Sequence, residues 1–267
     1  MNNQIKKINL NHSLIFFLFC NIFSLVTFVI NDFAISPLIC LLLILSIGIS
    51  HGSLDNIKGK KLFQIFGINN LSIFYLLYIL TSITIIILWI IAPMFSLLIF
   101  LFIASYHFGK EDTQFLIIKK SFFTQLLYFI KGTLIILAPM YFHFDETVSI
   151  FKLLLVDNES FYKFLNFIET NRILYFGIVL ATLSNIFLFT KNFEFKKFTI
   201  FLDYFSILII NYIFSPLIAF TLYFCFLHSI RHSISLMLEL NETDLNIGFK
   251  LFLKKALPLT FLTAAFC

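Results

Sequence analysis

Residues 71–92 read LSIFYLLYILTSITIIILWIIA, an apolar stretch that contains no charged side chain. A helix of about 20 apolar residues crosses the hydrocarbon core of a bilayer, where every backbone polar group has to find its hydrogen bond within the segment. This stretch therefore predicts a transmembrane helix.

The rest of the chain has the same character. Of the 267 residues, 60% are hydrophobic and 12% are charged, and the mean hydropathy is +0.97. A water-soluble domain carries roughly 25% charged residues. Eight apolar blocks predict helices: residues 13–30, 33–50, 71–92, 94–108, 121–142, 173–190, 198–214 and 215–238. We therefore expect an all-α, polytopic transmembrane bundle of about eight helices, forming a single integral-membrane domain over residues 1–267. A ninth stretch, residues 251–267, is either a last helix or a truncated one.

The distribution of Lys and Arg predicts the orientation of this bundle. Cytoplasmic loops hold an excess of these residues. With the N-terminus in the cytoplasm, 14 of the 19 fall in inner segments and three in outer loops. The net charge of +5 then reflects membrane topology and does not indicate nucleic-acid binding. We expect a multi-pass protein of the cell (inner) membrane, with a short interfacial helix in the outer loop 143–172.

Four of the six histidines converge in this topology. The second, fourth and eighth blocks all run inward, which brings His51, His107, His228 and His232 to about the same depth. The last two are four residues apart, so that they share one helix face. Ionisable residues in transmembrane helices usually face the interior and mark a site. The sequence predicts a metal site here, whereas His12 and His143 are interpreted as interfacial.

Charged residues accompany the histidines at helical spacing. Asp55 follows His51 by four residues, and Glu111 and Asp112 follow His107 by four and five. Three roles stay open for these carboxylates: ligand, hydrogen-bond acceptor that fixes an imidazole tautomer, or solvated charge. For Arg231 we favour an ion pair with Asp55 or Asp112 over extension to the cytoplasmic surface.

The ligand type limits the metal without identifying it. Imidazole suits iron, zinc, copper and nickel. The HExxH pattern of zinc hydrolases is absent from the sequence. Redox-active iron with open positions fits an apolar cavity, in which O2 and apolar substrates both dissolve.

Three motifs together resemble a known family. They are His51-Gly-Ser-Leu-Asp55, Tyr106-His-Phe-Gly-Lys-Glu-Asp112 and His228-Ser-Ile-Arg-His232. Their order and helix placement resemble the Brp/Blh family of membrane β-carotene 15,15′-dioxygenases, over roughly residues 33–238. One departure is Ser53, where Ala is usual.

The resemblance implies a non-haem Fe(II) carotenoid dioxygenase. Its iron ligands would be His51, His107, His228 and His232, and it would cleave β-carotene with O2 at the central double bond into two all-trans-retinal. The expected downstream partner is a rhodopsin that receives the retinal.

Two other function classes stay open. A membrane di-iron desaturase or hydroxylase also uses His-x-x-x-His, but such enzymes need about eight clustered histidines. A transporter or a haem- or metal-carrying protein is the other alternative. Its best clue is Lys131, inside the block 121–142, which either extends to the surface or forms a Schiff base with retinal.

Overall fold

The computed structural model describes residues 3–30, 35–48, 54–68, 70–115, 121–154, 158–190, 198–241 and 243–266. Every regular element in these ranges is helical, which confirms the all-α class. The α-helices are α1 (Asn3–Val29), α2 (Pro37–Leu43), α3 (Asp55–Ile65), α4 (Leu71–Ile91), α5 (Pro93–Glu111), α6 (Phe122–Phe142), α7 (Phe144–Leu153), α8 (Glu159–Thr170), α9 (Ile173–Thr190), α10 (Thr199–Ile213), α11 (Pro216–Tyr223), α12 (Ser229–Leu240) and α13 (Leu245–Phe266). Two π-helical turns, Ile44–Gly48 and Phe224–His228, continue α2 and α11.

Short polar side chains and prolines set where several helices begin. The Asn70 side chain accepts a hydrogen bond from the Ser72 amide at the start of α4, and Ser121 caps α6 in the same way. Pro93 and Pro216 occupy the first positions of α5 and α11. These are the preferred N-terminal residues of helices, because they satisfy or avoid unpaired amides.

In the described part of the chain, fewer helices are long enough to cross a membrane than the eight predicted. Among the described residues, five helices are long and apolar enough to cross a bilayer: Lys7–Val29, Ser72–Ile91, Pro93–Glu111, Phe122–Phe142 and Pro216–Leu240. The bent pair Glu159–Thr170 and Ile173–Phe187, with an angle of 65°, makes a sixth if it counts as one span. The prediction of about eight spans is therefore wrong in number, although each predicted block carries a helix.

Length explains this difference. The apolar helices Pro37–Gly48 and Phe201–Ile213 cover roughly 18–20 Å each, against about 30 Å for the hydrocarbon core. The ninth stretch is part of α13, which begins at Leu245 and carries three lysines within its length. The segment 143–172, which is predicted to be an outer loop, holds two helices, α7 and α8, where one short helix is expected from the sequence.

Helices α5 and α6 pack closely because glycines line their contact. A Cβ atom on Gly109 would collide with the backbone oxygen of Tyr128, and one on Gly132 with that of Ser105. Small residues at such contacts allow the backbones of membrane helices to approach each other. This contact fixes the end of α5, which carries His107, against α6.

Gly109→Ala should therefore destabilise the protein by about 1–3 kcal/mol, because the added methyl group meets backbone that cannot rotate away. The measurement is the thermal unfolding midpoint in detergent. Gly177→Ala is the matched control, since its Cβ would meet only the end of the Leu137 side chain. Equal unfolding midpoints for wild type and Gly109→Ala would contradict the prediction.

The largest buried cluster joins α1, α6, α9, α10 and α11. Its members include Phe16, Leu134, Ala181, Ile210 and Tyr223. Helix α4, in contrast, buries none of its apolar window. The core therefore lies beside the C-terminal ends of α5 and α11, close to His107 and His228.

Candidate metal centre

Three of the four predicted histidines meet in the structure. His107 lies in the penultimate turn of α5, His228 ends the second π-helical turn, and His232 follows in α12. The ring centroids are 5.1 Å apart for His107 and His228, 6.1 Å for His107 and His232, and 6.3 Å for His228 and His232. The helix directions predict this convergence, and the role of the three rings as ligands stays a prediction.

His51 lies outside the described residues. The chain leading to it can be followed to Gly48, where a Cβ atom would collide with the Phe224 ring. Phe224 in turn stacks on His228, with ring centroids 5.8 Å apart and an interplanar angle of 15°. The segment before His51 thus packs beside the π-helical turn that carries His228.

Two carboxylates hold the Nδ1 atoms of the two α11–α12 histidines. Asp112 Oδ1 lies 3.2 Å from His228 Nδ1, and Glu111 Oε2 lies 3.1 Å from His232 Nδ1. The Tyr223 hydroxyl donates a hydrogen bond of 2.6 Å to Asp112 Oδ2. Asp112 is only 4% exposed, which excludes the interpretation as a solvated charge. Both carboxylates contact histidines of α11–α12, although sequence spacing associates them with His107.

Asp112 is held in its ionised form. Burial alone would raise the pKa of this carboxyl, but the hydrogen bond with His228, the Arg231 guanidinium and the hydrogen bond from the Tyr223 hydroxyl lower its pKa to about 2. An ionised carboxylate can only accept a hydrogen bond, so the nitrogen that faces it has to carry a proton. The Nδ1 atom of His228 is therefore the protonated one, which directs the lone pair of Nε2 away from Asp112.

Lys58 supports the same tautomer for His232. Its Nζ atom lies 3.4 Å from His232 Nε2, and an ammonium group has no lone pair to offer. Lys58 therefore donates and Nε2 accepts, while Nδ1–H donates to Glu111. A cation already faces the nitrogen that would bind a metal ion.

The three imidazoles are suitable ligands for a metal ion, but their nitrogen atoms are not arranged around one point. Within the described ranges, His, Cys, Asp and Glu side chains form no group of three in a metal-binding arrangement. Metal binding would need rotation of the rings toward one point and departure of the Lys58 ammonium. Asp55, the first residue of α3, stays an untested member of the predicted site.

Arg231 forms an ion pair, but with an unexpected partner. Its Nη1 and Nη2 atoms lie 2.8 and 3.0 Å from the two carboxylate oxygens of Asp203, and it is 1% exposed. It contacts Asp112 only through the backbone oxygen, at 3.3 Å. The predicted pairing with the Asp112 carboxylate is wrong, because that carboxylate is used by His228 and Tyr223. Sequence reasoning missed Asp203, although an acidic residue within an apolar helix was a usable signal.

His12 and Lys131 have surroundings that the sequence does not predict. His12 is half-buried, and its Nε2 lies 2.9 Å from the backbone oxygen of Phe226 in the π-helical turn, while its interfacial position stays a prediction. Lys131 is 5% exposed, and its Nζ has no hydrogen-bond partner among the described residues. The interpretation that Lys131 extends to the surface is therefore wrong. His143 is half-buried at the end of α6, near Glu146.

An apolar cavity of about 220 Å³ adjoins the histidines. Phe108 and Tyr223 form its near end, and the Phe108 ring centroid lies 4.7 Å from that of His228. Ile150 of α7 and Leu154, which follows it, also line the cavity. Its walls come from α5, α6, α7, α10 and α11. A larger open pocket of about 460 Å³, around Glu169 and Arg172, touches none of the histidines.

Comparison with known proteins agrees with the motifs. No curated protein and no solved structure matches the chain. The profile of the beta-carotene 15,15′-dioxygenase family matches residues 42–267. This range covers most of the chain and includes all four predicted histidines, Glu111, Asp112 and Arg231. The chain therefore belongs to the beta-carotene 15,15′-dioxygenase family.

Proposed function

We propose that this protein cleaves β-carotene at its central 15,15′ double bond with O2, using bound Fe(II), to give two molecules of all-trans-retinal. Each retinal would receive one of the two oxygen atoms. Family membership supports the substrate and the bond that is cleaved. The chemistry of the site supports the metal.

One observation carries the proposal: three imidazoles meet beside an apolar cavity, and two of them lie within hydrogen-bond distance of a carboxylate. Metal-binding histidines usually donate their second ring N–H to a carboxylate or carbonyl, which fixes the tautomer. A solely structural histidine cluster does not need that pattern on two rings. An apolar cavity next to it is what a polyene substrate requires.

The residues that would hold iron are His51, His107, His228 and His232. Iron bound there would supply activation of O2 toward an alkene, as non-haem iron does in other oxygenases. The protein contributes orientation, because Asp112 and Glu111 fix two of the rings. It also excludes water, since Asp112 and His228 are almost fully buried.

Phe108 joins the site to the cavity. Its ring contacts His228 on one side and lines the cavity on the other. A cavity of about 220 Å³ holds only part of a C40 polyene, so one segment of the substrate would lie in it and present one double bond to the histidines. Selection of the central bond then depends on where the cavity ends, because reaction needs the bond within about 3–3.5 Å of the reacting group.

The membrane supplies the substrate in this proposal. β-Carotene dissolves in the bilayer, and the described helices expose many large apolar side chains to it. We place the protein in the cell (inner) membrane with its N-terminus in the cytoplasm. A rhodopsin is the proposed recipient of the retinal.

Product analysis tests the proposal directly. Purified protein is incubated with Fe(II), O2 and β-carotene, and the products are separated and identified by mass. A central cut of this symmetric substrate gives a single C20 aldehyde, and a displaced cut gives two different products. A main early product longer than retinal would overturn the central cleavage. Metal binding without any product would favour the metal-carrier alternative, and a modified intact C40 chain would favour the di-iron alternative.

Lys58→Gln should bind Fe(II) roughly twofold to fivefold more tightly than the wild type. The Lys58 ammonium competes with a metal cation for His232 Nε2, and an exposed charge of this kind is worth about 0.5–1 kcal/mol. Equilibrium titration with Fe(II) under anaerobic conditions measures the affinity. Lys60→Gln is the matched control, an exposed lysine of the same helix. An unchanged affinity in Lys58→Gln would show that Lys58 does not compete.

A further inference from the structure

Arg231 and Asp203 form a buried ion pair between α12 and α10. The guanidinium holds both carboxylate oxygens at 2.8 and 3.0 Å, and both residues are 1% exposed. Removing two charges from solvent is costly, and apolar residues of similar size often give equal or greater stability. The presence of this ion pair is therefore weak evidence that it stabilises the fold. The other contacts of Arg231 indicate a different role.

Those contacts lead to the candidate metal centre. Arg231 Nη1 donates to the backbone oxygen of Asp112 at 3.3 Å, and Nη2 donates to Ser13 Oγ at 2.6 Å. The Phe115 ring lies 5.2 Å from the guanidinium carbon. Arg231 is thus held by α1 and α10 while it contacts Asp112, the residue that follows the end of α5.

Asp112 is the residue that needs this support. It is the C-terminal cap of α5, at the start of a turn over residues 112–115, and its carboxylate has to reach His228 on another helix. Its carboxylate is fixed by His228 and Tyr223, whereas its backbone is contacted by Arg231. Asp203 is therefore connected to His228 through two residues, first Arg231 and then Asp112.

We propose that Asp203, together with Ser13, is a positioning residue for the metal centre: it orients Arg231, which places Asp112 so that His228 presents Nε2 to the metal. This inference rests on the proposed metal-dependent function. Asp203 itself touches neither the histidines nor the cavity, so it is not a catalytic residue.

Cobalt binding tests the proposal without the cleavage reaction. The full-length protein in detergent is titrated with Co(II), and both the affinity and the visible absorption of the bound ion are recorded. Asp203→Asn keeps the shape of the side chain but loses its charge. We expect about tenfold weaker binding and a shifted absorption band, because loss of residues that support ligands typically weakens metal binding 10–100-fold. Asp203→Glu should recover part of the affinity, and the exposed Asp145→Asn should equal wild type.

A double variant separates positioning from stability. Asp203→Leu combined with Arg231→Met replaces the buried ion pair by apolar side chains and should restore the unfolding midpoint lost in the single variants. The cobalt affinity and spectrum should stay impaired, because no guanidinium contacts Asp112. If the double variant recovered both stability and wild-type cobalt binding, or if Asp203→Asn bound cobalt like the wild type, the proposal would be overturned. If the wild type bound no metal at all, the metal-dependent function would be overturned too. The wild-type titration therefore separates failure of that function from failure of the positioning role of Asp203.

Discussion

The His228→Ala protein should lose bound iron and carotene cleavage together, each by more than about 100-fold. Substituting a residue that supports a ligand typically costs 10–100-fold in affinity or activity, so loss of a ligand itself should cost more. His228 is fully buried, and its ring centroid lies 5.1 Å from that of His107 and 4.7 Å from that of Phe108. Iron content of the purified variant and retinal formation are the two measurements.

Controls separate loss of a ligand from loss of the fold. His143→Ala should keep iron and activity, because His143 lies at the C-terminal end of α6, away from the part of α6 that packs against the end of α5. His228→Gln should retain the unfolding midpoint of the metal-free wild type better than His228→Ala, because it fills more of the site, and yet lack iron. The same loss is expected for His51→Ala, His107→Ala and His232→Ala. Full iron occupancy and turnover in His107→Ala would remove that residue from the site.

The sequence alone was sufficient to predict which segments form helices and that three of the four histidines, His107, His228 and His232, lie close together. A long apolar block such as residues 71–92 can satisfy its backbone hydrogen bonds in a bilayer only as a helix. The charges of the loops predict the direction of each helix. The approach of His107 to His228 and His232 then needs only the helix directions. The number of spans could not be read in the same way, because the caps at Ser36 and Pro37 shorten a helix within an apolar block.

The partners of the charged residues required the tertiary structure. Helical spacing assigned Glu111 and Asp112 to His107, but side chains at the end of a helix contact whatever neighbouring helix lies beside them. Here that neighbour is the π-helical turn and α12. Asp203 is far from Arg231 in sequence, and no local pattern connects α10 with α12. Burial of an acidic residue in an apolar helix was the available indication.

The Asp112→Asn protein should bind iron about 10–100-fold more weakly and lose activity in proportion. Asn keeps the size of Asp but removes the negative charge, so the proton on His228 Nδ1 is no longer fixed and the ring can present the wrong nitrogen. Anaerobic Fe(II) titration gives the affinity. The apparent affinity of β-carotene should change little, because Asp112 does not line the cavity.

Tyr223→Phe provides a graded comparison for this prediction. It removes one hydrogen bond of 2.6 Å from Asp112 Oδ2 and leaves the carboxylate and its contact with His228. Its effect on iron binding should therefore fall between those of Asp145→Asn, which should be neutral, and Asp112→Asn. Loss of one buried hydrogen bond costs about 1–3 kcal/mol in stability, so unfolding midpoints are needed for all three proteins. Wild-type iron affinity in Asp112→Asn would mean that His228 keeps its tautomer without a carboxylate, and Asp112 would then be a structural residue only.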